Sequence, residues 1–297
     1  MSIDMQSTRR SCIAVKLEDT IGTDAIAGTP VAGDFITGTF TESQSRQDSP
    51  RNVYQNSYDD PAPIPGGLSG QVVIRVPIVG SGVAGTAPEW ARLFRICRFV
   101  QTDTESAVGA PTAATAGTAT TATAQTPFAA TAQLYRGMPI LLAGNPTTPV
   151  ADAVLDYTAG RVATLGRAYS PVLSTSTTLQ IPVNNLLAPS SDESTEKSAT
   201  IYMFRDGLRH KMVGCRGTFD FEMRSSQPAF LVFTIVGQIT GWNEAVALPT
   251  AYVPVTRNPP RWAEGISRFN RAAARMQSLR FSAGIRTPQP SDPEAIN

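Results

Sequence analysis

Ala199-Thr200-Ile201-Tyr202-Met203-Phe204-Arg205 runs into Asp206-Gly207 and resumes as Leu208-Arg209-His210-Lys211-Met212-Val213. Asp-Gly between two runs rich in β-branched and aromatic residues is the strongest short hairpin signal, because a type I′ turn needs positive φ at both central positions. After Gly214 and Gly217 comes Thr218-Phe219-Asp220-Phe221-Glu222-Met223-Arg224, whose apolar and charged residues alternate to opposite faces. Ser225 to Pro228 reads as a turn. Phe230-Leu231-Val232-Phe233-Thr234-Ile235-Val236 is apolar on both faces, which predicts a central strand. The segment is an antiparallel meander, and it makes the chain β-rich.

The 297 residues are 41% hydrophobic, enough for a substantial core. Only 16% are charged, and 23 Gly with 23 Pro imply many turns and surfaces that pack against something. A net charge of +1 argues against a generic nucleic-acid binder. Its distribution is uneven. Residues 1–60 hold nine acidic and five basic side chains, whereas residues 257–286 hold seven arginines and one glutamate. Cys12, Cys97 and Cys215 are far apart and lack metal-ligand spacing, so they read as buried reduced thiols. Arg9-Arg10 ahead of an apolar stretch imitates an export signal, but Lys16, Glu18 and Asp19 cut that stretch short. No run approaches the ~18 apolar residues of a transmembrane helix, so no membrane insertion is expected and folding in a cytosol is.

Working outward, Cys12 to Leu17 predicts a first strand. Gly22 to Gly38 is a Gly/Thr/Asp-rich connection with room for a short strand. Thr39 to Gly70 is polar and Pro-punctuated and reads as a long loop. Val72, Ile74, Val76 and Ile78 mark one face of a strand. Thr86-Ala87-Pro88-Glu89 resembles a capping box, and Trp90, Leu93, Phe94 and Cys97 form an apolar stripe, which together predict a helix over 87–98. Ala107 to Thr126, nearly all Ala, Thr and Gly, reads as a linker. Short strands then suggest a small β-barrel module inserted over 128–184. Pro249 to Pro260 is extended, Ile266 to Gln277 reads as a helix with Arg268, Arg271 and Arg275 on one side, and Leu279-Arg280-Phe281 begins another strand.

Several motifs imitate chemistry. Gly80-Ser81-Gly82-Val83-Ala84-Gly85 matches the dinucleotide fingerprint, yet Pro88 and the Thr86 cap place the helix start after the third glycine. Pro77 sits in the supposed central parallel strand, and no repeated βαβ pattern follows. His210 is the single histidine, which removes any site needing two, and no G-x-S-x-G elbow supports a triad through it. Asp59-Asp60 and Asp192-Glu193 are loop pairs whose default is solvated charge. No catalytic, metal or cofactor-binding residue is assigned and no cofactor is expected; the chain does not read as an enzyme.

The order of motifs resembles one family, the tail tube (major tail) proteins of long-tailed bacteriophages. Ala14 to Asp24, ending Gly22-Thr23-Asp24, is similar to their opening strand and turn. Gly80 to Arg95, with Gly85-Thr86-Ala87-Pro88-Glu89-Trp90, is similar to their Gly-rich turn into a single helix. Thr200 to Gly217, with Tyr202, Arg205-Asp206-Gly207 and Gly214-Cys215-Arg216-Gly217, is similar to their hairpin, and Gly237 with Leu248-Pro249 continues the match. The resemblance covers residues 10–100 and 195–260 and touches the inserted module loosely. It departs after Phe281, where more strand is expected.

The resemblance implies a mainly β fold: two packed antiparallel sheets, a β-sandwich or barrel, with one flanking helix and the inserted module. The domain would run over 1–127 and 185–256, followed by a basic segment over 257–297. Subunits would join sheets edge to edge into rings, commonly six-fold, that stack into a tube in the virion tail, assembled in host cytoplasm. Implied partners are other copies, the tape-measure protein, tail terminator and tail-tip proteins, and double-stranded DNA passing without sequence readout. The charge asymmetry makes Arg268, Arg271, Arg275, Asp59 and Asp60 the expected subunit-interface residues, with the arginines facing away from the lumen. A second reading is a tail-tip or surface protein binding host carbohydrate through Tyr135, Tyr157 and Tyr169 of the module.

Overall fold

A computed structural model describes residues 10–51, 53, 62–145, 148–262, 267–269 and 271–286. The first strands are β1 (Ser11–Leu17), β2 (Phe35–Ile36), β3 (Thr39–Ser49) and β4 (Ile64–Pro77), followed by the helix α1 (Ala91–Arg95) and β5 (Phe99–Thr104). A middle group comprises β6 (Val108–Ala113), β7 (Ala116–Gly117), β8 (Thr121–Thr123), β9 (Pro139–Ala143), β10 (Val150–Tyr157), β11 (Val162–Leu165), β12 (Thr178–Ile181) and β13 (Asn184–Pro189). The chain continues with β14 (Ala199–Arg205), β15 (Leu208–Arg224), β16 (Phe230–Ala245), β17 (Ser267–Phe269), β18 (Ala272–Ala274) and β19 (Ser278–Ser282). The fold is mainly β, antiparallel and sandwich-like, with one helix, as the sequence predicts.

The meander forms the centre of an eight-stranded sheet ordered β2-β1-β14-β15-β16-β4-β3, with β19 also on β15. Asp206 and Gly207 adopt φ of 35° and 93°, the left-handed pair that the hairpin requires. The two expected strands 208–213 and 218–224 are one strand, β15, irregular between Val213 and Arg216, where Gly214 has φ 62°. The ends of this sheet are consecutive in the chain. β2 pairs with β1 and β3 pairs with β4, and only Thr37-Gly38 separates β2 from β3. A single bent strand therefore closes the body. Inside lie Ile13, Val15, Ile74, Met203, Phe233 and Ile235. Phe94 of α1 enters the same core, its ring 4.6 Å from Phe219 and 5.3 Å from Phe233. β1 and β14 are buried on their other face too, where Cys12, Ala14, Tyr202 and Phe204 lie beneath Ile26, Phe35 and the 246–252 segment.

The middle strands form a seven-stranded sheet ordered β6-β12-β9-β10-β11-β8-β7. Its end strands β6 and β7 are again consecutive, separated by Ala114-Thr115, so it closes by the same device. The core holds Phe128, Tyr135, Tyr157, Leu142, Leu165 and Leu179. Residues 107–126 are not a linker. They supply β6, β7 and β8, and the unit's strands begin at Val108 rather than near 128. The Ala/Thr composition misleads because the barrel interior is already filled by large rings. Ala122 and Ala124 point into it and Thr121 and Thr123 point away, an alternation of small residues that carries little hydrophobic contrast. The ribbon of β5 against β13 connects this unit to the body.

Three stretches differ from the sequence expectation. Within 39–70, expected as a loop, 39–49 and 64–70 are paired antiparallel strands of β3 and β4, missed because the outer half is exposed and shows no apolar alternation. The helix over 87–98 shortens to α1. Glu89 does not close a capping box but accepts from the amide of Thr37 at 2.5 Å, and Arg92 donates to Val15 O at 2.9 Å. Leu93, Phe94 and Cys97 of the apolar stripe do face the core. No described residue of 266–277 is helical: β17 pairs antiparallel with β18, and Arg271, just before β18, has φ 67°. β19 then joins the body on β15.

The corner at Gly38 leaves no room for a side chain, since a β-carbon there would come within 2.6 Å of the Arg75 carbonyl oxygen. Gly38→Ala is expected to lower stability by roughly 1–3 kcal/mol through overpacking against backbone. Denaturant unfolding checks this; an unchanged midpoint would contradict the tight corner.

Candidate assembly surface

Segments that are distant in sequence are tied together by two carboxylates. Glu18, 2% exposed, accepts from Ser198 Oγ (2.6 Å), Gly22 N (2.8 Å), Thr200 Oγ1 (2.9 Å) and the bulged Gly214 N (2.9 Å). Asp24 accepts from the amides of Ile26 and Ala27 and from the Tyr202 hydroxyl, with Lys211 Nζ 3.5 Å away. Burial opposes charge on Asp24, but these donors hold its carboxyl below the ordinary value. Burial and the neighbouring Asp24 push the Tyr202 phenol up. Nothing in the composition marked Glu18 or Asp24 as structural; the available signal was acidic residues flanking a Gly-Thr turn beside an apolar strand.

The motifs that imitate chemistry are structural here. β4, which leads into Gly80 to Gly85, is antiparallel to both neighbours, and α1 begins only at Ala91. A β-carbon at Gly82 would overlap the Arg257 guanidinium, so the approach a pyrophosphate would need is filled by a side chain. Burial pushes the Cys12 and Cys97 thiols up to about 12 and raises the Cys215 thiol well above its ordinary value, with Glu18 contributing there. None is a ready nucleophile. His210 is buried, its ring 4.0 Å from Trp242. Burial lowers its pKa, Glu42 opposes the shift and Arg205 assists it. Among the described residues no cluster of His, Cys, Asp or Glu could hold a metal ion.

The module's tyrosines are not a stacking platform. Tyr135 and Tyr157 are buried and meet edge to face at 4.9 Å, and the Tyr157 hydroxyl donates to Ala129 O at 2.8 Å. Tyr169 is half-buried and donates to Asp152 at 2.7 Å. This corrects the expectation that they are available to a sugar.

Beyond the two-stranded ribbons β5/β13 and β17/β18, whose outer edges are unpaired, the eight-stranded sheet carries two open edges among the described residues. The β4 ladder to β16 stops at Ser69–Gln238, but the β3/β4 ladder continues to Ser49–Ile64. The outer half of that hairpin therefore stands clear of the body as an arm. Seven residues from Ser43 to Ser49 span roughly 20 Å. The second edge is β19. It pairs only with β15, is exposed along its whole length, and presents Leu279 and Phe281, the latter 54% exposed. Arg280 anchors it through Asp220 at 3.0 Å.

Of the residues expected at a subunit interface, Arg271 and Arg275 have described side chains. Arg271 sits at the β17/β18 turn and donates to Leu165 O of the module at 3.4 Å, and Arg275 is exposed. Arg268 lies in β17 with its side chain outside the described ones, and Asp59 and Asp60 lie outside the described residues. No family model matches the chain, and no curated protein matches it.

Asp24 sets an acid dependence whose sign follows from its depressed pKa. Its contribution is complete above the ordinary value of 3.8 and is lost as pH falls through the lower folded value. The melting temperature of the wild type is expected to fall more steeply below pH 4 than that of Asp24→Asn, by thermal unfolding across pH 2.5–6. Parallel curves would contradict this role.

Proposed function

We propose that this chain is a structural subunit that polymerises as stacked rings into the tail tube of a long-tailed bacteriophage and forms the conduit for DNA ejection. The observation that carries the reading is a closed, well-packed body bearing two unpaired strand edges, β19 and the β3/β4 arm. Exposed edges are templates for pairing with another chain, and soluble monomers commonly blunt them with Pro, Lys or covering loops. β19 (Ser278-Leu279-Arg280-Phe281-Ser282) contains neither Pro nor Lys and shows apolar side chains.

The arm adds reach. It leaves the body beyond Ser69, so it extends past the sheet that the subunit itself completes. The motifs that resemble tail tube proteins also meet physically. Glu18 and Asp24 from the first motif bond Thr200, Tyr202 and Gly214 from the hairpin motif. DNA would pass through the lumen without being read, and tape-measure, terminator and tail-tip proteins would be the tube's other partners. The carbohydrate reading has lost its stacking residues, because Tyr135 and Tyr157 are core.

Negative-stain electron microscopy of the purified protein tests the reading. Rings or tubes are expected, and Phe281→Glu, at an exposed position, is expected to abolish them without lowering the melting temperature. A wild type that stays monomeric at high concentration, or a variant that assembles normally, would overturn it.

A further inference from the structure

One edge of β15 is shared by two strands that do not meet. β14 covers Leu208 to Cys215, β19 covers Asp220 to Arg224, and between them, at Arg216-Gly217, the ladder has a gap. The gap is a notch of about 320 Å³. Its floor includes Ile96 and Gly217, both buried, and the Gly217 amide donates to Ile96 O at 3.2 Å. Arg98, Lys197, Arg216 and Arg286 line it, with Glu196 as the single acidic lining residue. Glu196 is already engaged: Arg98 contacts one of its oxygens and Arg216 Nη1 lies 3.2 Å from the other. Lys197 and Arg286 form no ion pair among the described residues. Arg216 Nε is buried with no hydrogen-bond partner.

We propose that this notch is an oxyanion-binding site, taking a carboxylate carried on a slender protein segment or a free phosphate. Four cations against one carboxylate leave an excess of positive charge in a recess, where screening is weaker than on open surface. A buried Nε–H without a partner is a donor whose desolvation is uncompensated until an acceptor arrives. Guanidinium forks suit planar carboxylates and phosphates, which accept two parallel bonds. Where the carboxylate comes from a second copy, the site deepens the tail tube reading and rests on it; the oxyanion chemistry itself does not.

Isothermal titration calorimetry of inorganic phosphate into the full chain at low ionic strength tests the site. Saturable binding is expected, weakened about tenfold in Lys197→Gln/Arg286→Gln and retained in Arg10→Gln/Arg46→Gln, whose arginines are exposed elsewhere. No saturable binding, or equal binding by both double variants, would overturn the proposal. Sedimentation velocity then separates the sources. Association weakened by phosphate but not by chloride at matched ionic strength assigns the occupant to a carboxylate of a second copy. Association indifferent to bound phosphate assigns it to the free anion. A chain that binds phosphate and never associates keeps the oxyanion site and counts against the tail tube reading alone.

Discussion

The bend at Gly38 governs the rest of the structure. Every buried backbone amide and carbonyl must find a partner, and a sheet achieves this only by closing or by covering its edges. Here one strand turns a corner, giving its first two residues to β1 and the remainder to β4. The turn brings backbone so close to Arg75 that no side chain fits. Thr37 holds the corner from both sides: its amide donates to Glu89, and its hydroxyl accepts from the Val255 amide at 2.9 Å. The module repeats the device with β6 and β7, and Gly117 is again crowded, a β-carbon there coming within 2.6 Å of Leu173 backbone.

Closure is also incomplete, and the unfinished part is informative. β2 is only two residues long, so the closing strand satisfies β1 over a short stretch, and the loops that bury Cys12, Ala14, Tyr202 and Phe204 cover the face beside it. The outer half of β3 and all of β19 lie beyond the reach of this closure. The hydrogen-bonding groups on their free edges face water in the isolated chain. The low charge of the sequence and the exposed Phe281 suit a surface that another copy covers.

The meander was legible because each level agreed: Asp206-Gly207 for the turn, alternation over 218–224, and apolar residues on β16. The later half of β4 was legible from the alternation of Val72, Ile74 and Val76. The arm was not, since Thr-Glu-Ser-Gln-Ser-Arg over 41–46 has no buried face to imprint a period. The 107–126 strands were hidden because small Ala residues face a core filled by large rings and Thr faces away, leaving little hydrophobic contrast. The helices were over-read: Trp90, Leu93, Phe94 and Cys97 keep helical spacing, but Arg92 leaves to bond Val15 O and the chain turns into β5. The notch could not be read at all, because Arg98, Lys197, Arg216 and Arg286 come together only when β14 and β19 abut one strand.

Hydrogen–deuterium exchange, read peptide by peptide in dilute and in assembled protein, tests most directly whether these edges finish their pairing between copies. The account predicts fast exchange over β19 and the outer half of β3 in the dilute chain and strong protection of both on assembly, with β14 and β16 protected throughout. Assembled particles in which β19 and the arm still exchange as fast as in the dilute chain would contradict it.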